Sequence, residues 1–506
     1  MFIFAAVFSG KCIMKLFKRG ETPSWWVSLI PFVVLVAVLV VVIKVFGDGA
    51  LDGASQVALL MATGVTVAIS MIFYRVPWKE FEEGILDNIR AVGTSILILL
   101  LIGAVSGSWM ISGVVPTMIY YGTKLIIPEV FLFAACGICA LIAVMTGSSW
   151  TTIATVGVAL VGIGTVQGYH PGWTAGAIIS GAYFGDKISP LSDTTVLASS
   201  SAGTPLFTHI RCMLVTTIPS FVIALLVFLV VSLMHKPSGD MQAIEYINNL
   251  ERTFTISPWL LLVPVVTGFL IVKKVPAMLT LFVAAVIAGL VALFVQPHII
   301  QQIANEGSDV YHFPADSFTD LSFFDGFKGT FMTYYGPTAI ETGNPDLNDL
   351  VSTRGMTGMM NTIFLIIAAV AFGGALVGSG MLQSLTEKLT HFIRRRTSMV
   401  SATVGTGIFS NMITGDQYLS IILTSSLYKK LYHEKGYEPK LLSRSVEDSA
   451  TVVSVLIPWN SCGMTQATVL GVSTLTYLPY CFFNLISPLM SIIIAAIGYK
   501  IVRKSK

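Results

Sequence analysis

Residues 174–202 read TAGAIISGAYFGDKISPLSDTTVLASSSA. The run is long enough to enter a membrane as a helix, but Ser189-Pro190-Leu191-Ser192 interrupts it, and Pro458-Trp459-Asn460 interrupts the stretch 446–470 in the same way. A broken helix leaves unpaired carbonyls at the end of one half and free N–H groups at the start of the next. With hydroxyls and a carboxylate, such carbonyls can replace the water shell of a hard cation.

The rest of the chain supplies the setting for these breaks. Of 506 residues 54% are hydrophobic and 11% are charged, and mean hydropathy is +0.79, which excludes a soluble domain. Net charge is only +3 and the basic residues are scattered through short loops, so no nucleic-acid partner is expected. Cys12, Cys136, Cys139, Cys212, Cys462 and Cys481 have neither the density nor the setting of a disulfide framework, and Cys136 and Cys139 read as helix packing. Near the N-terminus, Lys11, Lys15, Lys18 and Arg19 follow the apolar run, the reverse of a cleavable signal, so residues 1–26 read as a cytoplasmic lead-in.

About 20 apolar residues cross a hydrocarbon core of about 30 Å. Segments 27–46, 54–74, 91–112, 212–234, 275–296, 359–381 and 476–499 qualify outright; with 258–272 and the two broken helices, they make ten expected crossings. Two more stretches, 130–165 and 398–428, are cut by Thr146-Gly147-Ser148-Ser149 and Thr414-Gly415-Asp416-Gln417. Arms of about 15 residues reach about 23 Å, so both are expected to be re-entrant hairpins. Charge bias agrees with this layout: clusters such as Lys388, Arg394, Arg395, Arg396 and Lys429, Lys430, Lys435 fall inside, while Lys124, Lys236, Arg252, Lys328 and Arg354 fall outside. Both termini are then cytoplasmic, in a multi-pass membrane protein. The outer loop 297–357, rich in aspartate and glutamate, is expected to be a solvated cap.

At one offset Gly107-Ser108-Trp109-Met110 matches Gly378-Ser379-Gly380-Met381; after a three-residue shift Thr146-Gly147 matches Thr414-Gly415, and Pro190 falls on Pro458. Five crossings and one hairpin per half make the second half inverted, which predicts an all-α polytopic membrane protein of the inverted-repeat secondary-transporter type. The expected repeats are 27–234 and 258–506, joined by an external connector 235–257.

The repeat pairs Asp416 with Ser148 and Asp193 with Ser461, so each half carries one carboxylate. An unpaired charge in the membrane costs several kcal/mol, so Asp193 and Asp416 are the leading candidates for sodium and proton binding. Supporting oxygens are Thr146, Ser148, Ser149, Ser189, Ser192 and Thr194 in the first half and Asn411, Thr414, Asn460 and Ser461 in the second, although such hydroxyls also pack helices together. Asp186 and Lys187 are candidates either for the ion route or for a stabilising ion pair, with Lys187 expected to face Asp186 or Asp193. Glu447 and Asp448, close to Arg444, are expected at the interface, and the histidines fall in loops or at segment ends. No P-loop is present, so the expected protein is a gradient-driven transporter and no enzyme, and it needs no cofactor.

The run Gly181 to Thr195, followed by Ala198-Ser-Ser-Ser-Ala-Gly203 and His209-Ile-Arg211, strongly resembles the NhaC-type sodium/proton antiporter family. Thr146-Gly-Ser-Ser-Trp-Thr151, Thr414-Gly-Asp-Gln-Tyr418, Glu447-Asp-Ser-Ala-Thr451 and Pro458-Trp-Asn460 extend the resemblance through both halves. It implies proton-coupled sodium export from a bacterial cytoplasm, across the inner membrane. Some members exchange malate and lactate, so a carboxylate exchanger is the alternative, and it would want a cationic group for its substrate. An intramembrane aspartyl protease would use Asp193 and Asp416, but Ile413-Thr414-Gly415-Asp416 lacks the first glycine of such motifs and the repeat would go unexplained. The expected partners are Na+, H+ and membrane lipid, with small carboxylates under the alternative and a homodimer left open.

Overall fold

The structure, a computed structural model, describes residues 23–46, 53–234, 240–273, 275–305, 321–340, 342, 348, 351–390 and 395–499. The basic cluster Lys11 to Arg19, Cys12, Lys236, the acidic residues Glu306 to Asp320 and the tail 500–506 lie outside the described residues. Among the described residues the regular elements are helical, with one isolated antiparallel bridge between Thr338 and Thr353.

In the first half the main helices are α1 (Ile30–Phe46), α2 (Ala54–Tyr74), α3 (Trp78–Ile111), α4 (Val114–Leu125), α5 (Phe131–Thr146), α6 (Ser149–Val166), α7 (Pro171–Ile188), α8 (Asp193–Ala202) and α9 (Leu206–Met234). The chain continues through α10 (Asp240–Thr253), α11 (Leu262–Val272), α12 (Ala277–Val295), α13 (Pro297–Asn305) and α14 (Phe323–Tyr335). The second half adds α15 (Met360–Gly378), α16 (Met381–Thr390), α17 (Arg396–Thr414), α18 (Gln417–Glu434), α19 (Pro439–Val446), α20 (Ser461–Leu470) and α21 (Phe482–Ile497).

Among the described residues eight helices are long and apolar enough to cross a membrane, or up to ten when two bent pairs each count as one span. The uninterrupted segments read from hydropathy are all present, although the last is bent by 56° between Thr474–Tyr480 and α21. Both interrupted segments are broken where proline predicted: α7 stops before Pro190, and the chain around Pro458 is non-helical until α20. The hairpin arms differ from expectation. Pro128–Thr146 has 19 residues, α6 has 18, α17 has 19 and α18 has 18. The helices run on into polar ends such as Arg396-Thr397-Ser398 and Lys429 to Glu434, which a hydropathy reading cuts off. At about 1.5 Å per residue these arms approach the membrane thickness, so length alone does not mark them as re-entrant.

The outer loop is more than a solvated cap. Helices α13 and α14 pack on each other, and α14 packs on α3, where Gly107 lets the Thr333 carbonyl approach the helix backbone. A second close contact fixes the centre of the first half. Gly181 and Gly185 of α7 lie against the carbonyls of Cys136 and Ala140 in α5, so a Cβ on Gly185 would stand 2.6 Å from the Ala143 Cβ and 2.7 Å from the Val144 nitrogen. Cys136 and Cys139 are free and buried in this packing.

The two hairpin tips share one hydrogen-bond pattern at the offset that pairs Thr146 with Thr414. Gly147 (φ +67°) and Gly415 (φ +62°) close the first arms in the left-handed region that glycine favours, donating to the carbonyls of Ala143 (2.8 Å) and Asn411 (3.2 Å). The hydroxyls of Thr146 and Thr414 accept from the backbone N–H of Ser148 (3.2 Å) and Asp416 (3.3 Å). Each tip abuts the break of its own half, Gly147 against Leu191 and Gly415 against Trp459.

Substituting Gly185→Val should push α5 and α7 apart. A loss of about 1–3 kcal/mol is expected for such overpacking, read as a lower melting temperature of the detergent-purified protein. A melting curve superimposable on the wild type's would contradict this packing.

Candidate functional site

The tip of α5 and α6, the break between α7 and α8, and the start of α18 enclose a cavity of about 240 Å³. Its polar walls include Thr146, Ser148, Asp186, Ser192, Asp193 and Thr194, joined by Trp150, Thr151, Gln417 and Tyr418, which the sequence reading placed in motifs but did not name as ligands. Local folding accounts for the hydroxyls. Ser148 caps α6 by accepting from the Thr151 N–H (3.2 Å), and Ser192 caps α8 by accepting from the Thr195 N–H (3.4 Å), so each break presents its polar groups to the same space.

The two acids in the cavity are held differently. Asp186 Oδ2 accepts from the backbone N–H (3.0 Å) and the hydroxyl (2.6 Å) of Ser149. Asp193, the first residue of α8, is exposed to the cavity, and no hydrogen-bond or ion-pair partner for its side chain is found among the described residues. Its carboxylate is therefore free to take an ion at the positive end of a helix dipole. Ser189 is turned away, donating to the Val144 carbonyl (2.8 Å).

The second half is closed where the first is open. Asp416 is fully buried and caps α18, its Oδ1 accepting from the N–H groups of Tyr418 (2.9 Å) and Leu419 (3.0 Å) and its Oδ2 from the Ser461 hydroxyl (3.1 Å). Asn411 donates to the Ala450 carbonyl (2.6 Å), Thr414 to the Ser410 carbonyl (2.9 Å), and Asn460 accepts from the Cys462 N–H (3.0 Å). None of these residues lines the cavity, although Gln417 and Tyr418, next to Asp416, do.

Two expectations about charge are corrected. Lys187 faces neither Asp186 nor Asp193: successive helical side chains diverge by about 100°, and its ammonium pairs with Asp448 of the other half and donates to the Ser487 hydroxyl (2.8 Å). Glu447 and Asp448 are not interfacial. Both are fully buried, as is Arg444, because the chain does not leave the protein interior after α19 but continues into a π turn at Glu447–Thr451. Asp448 Oδ1 also accepts from Thr216 (3.1 Å), and Arg444 Nε lies 4.0 Å from its Oδ2. His209, in the first turn of α9, is fully buried with Nδ1 2.8 Å from the Ser443 hydroxyl. A Glu-Asp pair next to an arginine looks like a helix end in sequence, and only the path of α19 reveals otherwise.

Among the described residues no three His, Cys, Asp or Glu side chains converge as a metal centre. No Lys, Arg or His among the described residues lines the cavity. The site is thus an acidic, hydroxyl-rich pocket, suited to a monovalent cation with oxygen ligands.

Known proteins are similar to this sequence over most of its length. The model of the Na+/H+ antiporter family matches residues 21–204 and 181–499. The Na(+)/H(+) antiporter NhaC of Alkalihalophilus pseudofirmus is 37% identical over 84% of this chain and 87% of its own, and that of Bacillus subtilis is 34% identical over 86% and 91%. The malate-2H(+)/Na(+)-lactate antiporter of Bacillus subtilis is 32% identical over 88% and 90%.

Removing one partner of the buried Lys187–Asp448 pair should cost about 3–5 kcal/mol. Lys187→Gln and Asp448→Asn should each lower the melting temperature, and the double variant should lose less than the sum of the two. Strict additivity would show that the two groups are not coupled. For Asp416, asparagine caps a helix as well as aspartate does, so Asp416→Asn should melt close to wild type, whereas Asp416→Ala should lose about 1–2 kcal/mol. Equal losses in both would assign the stabilisation to the charge and not to the cap.

Proposed function

The chain belongs to the Na+/H+ antiporter family, and from that premise we propose that the transported sodium ion binds in the cavity beside Asp193, with Asp186 and the surrounding hydroxyls completing its shell. The protein is a multi-pass, gradient-driven antiporter and not an enzyme, and Na+ and H+ are its transported ions. The carrying observation is the unpartnered Asp193 carboxylate facing a pocket of hydroxyls. Sodium takes hard oxygen ligands, and a carboxylate that binds it in competition with a proton gives exchange of one for the other.

A malate or lactate exchanger needs a cation to meet its substrate. The described cavity residues offer two acids and no base, and Lys187 is committed to Asp448, which favours sodium and protons over an organic anion. In the same reading α5–α6 and α17–α18 are re-entrant hairpins of two inverted repeats, 27–234 and 258–506. The shared tip geometry supports the repeat. The basic residues Arg395, Arg396, Lys429 and Lys430 then face the cytoplasm of a bacterial inner membrane, with both termini on that side.

Purified protein in liposomes tests this. An inward sodium gradient should drive proton efflux, malate and lactate should not move, and Asp193→Asn should reduce the proton signal to that of empty liposomes while leaving the protein folded. Full exchange by Asp193→Asn would end the assignment, and malate-dependent flux would favour the carboxylate reading.

A further inference from the structure

We propose that Glu447 is a proton-binding site of the exchange cycle, distinct from the sodium cavity; the proposal rests on the sodium–proton reading above. Glu447 opens the π turn Glu447–Thr451, a local distortion that often marks functional positions in helices, and its side chain is fully buried. The hydroxyls of Thr194 and Thr451 approach its carboxyl group, but neither carboxyl oxygen has a partner at full hydrogen-bond geometry among the described residues.

The groups around it decide its charge. From α7 come Asp186 and Lys187, from its own segment Arg444 and Asp448, from α9 His209 and Cys212, and from the start of α8 Asp193. Helix α18 adds Tyr428 and Tyr432, its Lys429, Lys430 and Glu434 lying at an exposed end; α17 carries its described charges, Arg395 and Arg396, at its beginning, and α21 offers Ser487. Two buried cations, Lys187 and Arg444, thus lie among three buried acids, Glu447 and Asp448 on the inner side of α7 and Asp186 on its cavity side but close enough to act on Glu447.

Such a cluster is neutral only when one acid keeps its proton, and an acid keeps it where its anion is least supported. Asp186 accepts from the Ser149 N–H and hydroxyl, and Asp448 accepts from Lys187, Thr216 and Ser487. Glu447 has only the loosely placed hydroxyls of Thr194 and Thr451 beside it, so its anion is the least supported of the three and the proton sits there.

Its release is tied to the cavity by adjacent residues of α7: Asp186 lines the cavity, and Lys187 reaches into the cluster. Sodium entering beside Asp193 and Asp186 adds a positive charge. The Glu447 O–H bond then breaks, the electron pair stays on the carboxylate, and the proton leaves to water on the side that is open. When sodium departs, the carboxylate takes a proton back.

Glutamine has the shape of a neutral glutamic acid, so Glu447→Gln should fold. In liposomes, exchange of labelled for unlabelled sodium needs no net proton movement, and Glu447→Gln should keep it near the wild-type rate while losing sodium-driven proton movement. Glu447→Asp should restore proton movement with a displaced pH profile. Glu447→Gln with intact proton coupling, or folded Glu447→Gln that has lost both activities, overturns the proposal, as does Glu447→Asp with an unchanged pH profile. Infrared difference spectra of the wild type, with and without sodium, check the idea without any variant: the carbonyl band of a protonated carboxyl should fall on sodium addition, and an unchanged band counts against it. Wild-type protein that exchanges no sodium in either assay sinks the sodium reading itself, and this proposal with it.

Discussion

Backbone that leaves the helix inside a membrane must find its hydrogen bonds within the protein, and that constraint organises this molecule. The breaks around the cavity and the hairpin tips are met by side chains placed for them. Thr146 and Thr414 fold back on the hairpin tips, Ser148, Ser192, Asp416 and Asn460 cap the helices that follow, and the amides of Asn411 and Asn484 reach the carbonyls of Ala450 and Val452 beside the π turn. The Tyr477 hydroxyl does the same for Val455 (2.8 Å). Polar groups that would be costly in lipid are therefore concentrated in one contiguous interior, where an ion can use them.

The two halves spend this pattern differently. Asp416 satisfies two backbone donors and Ser461, so its carboxyl oxygens hold a turn together. At the corresponding place in the first half Ser148 does the capping, and the carboxylate has moved to Asp193, where its oxygens stay free. Two similar tips thus yield a firm element beside an open one, a division that suits a transporter: the site needs groups that can exchange ligands and a scaffold that does not yield when they do.

Charge links the halves as well. The Lys187–Asp448 pair joins α7 to the end of α19, directly behind the cavity, and it is surrounded by Arg444, Glu447 and His209. Buried charges in so little water depend on each other's state, so a cation arriving on one side of α7 is felt on the other.

The sequence by itself determined the solvent, the class of fold and the position of the breaks, because hydropathy, proline and the Thr-Gly tips are local properties that each segment carries alone. It also located Asp193, Asp186 and the hydroxyls that the cavity brings together. What only the tertiary structure decided was orientation and partnership. Adjacent Asp186 and Lys187 look alike in sequence, yet the helix turns one to the cavity and the other to Asp448, far along the chain. Glu447 and Asp448 looked interfacial because a hydropathy window records charge and not the direction in which α19 travels, and the hairpin arms looked short because it stops at the first polar residue. Burial depends on what packs around a residue, and that information is spread over the whole chain.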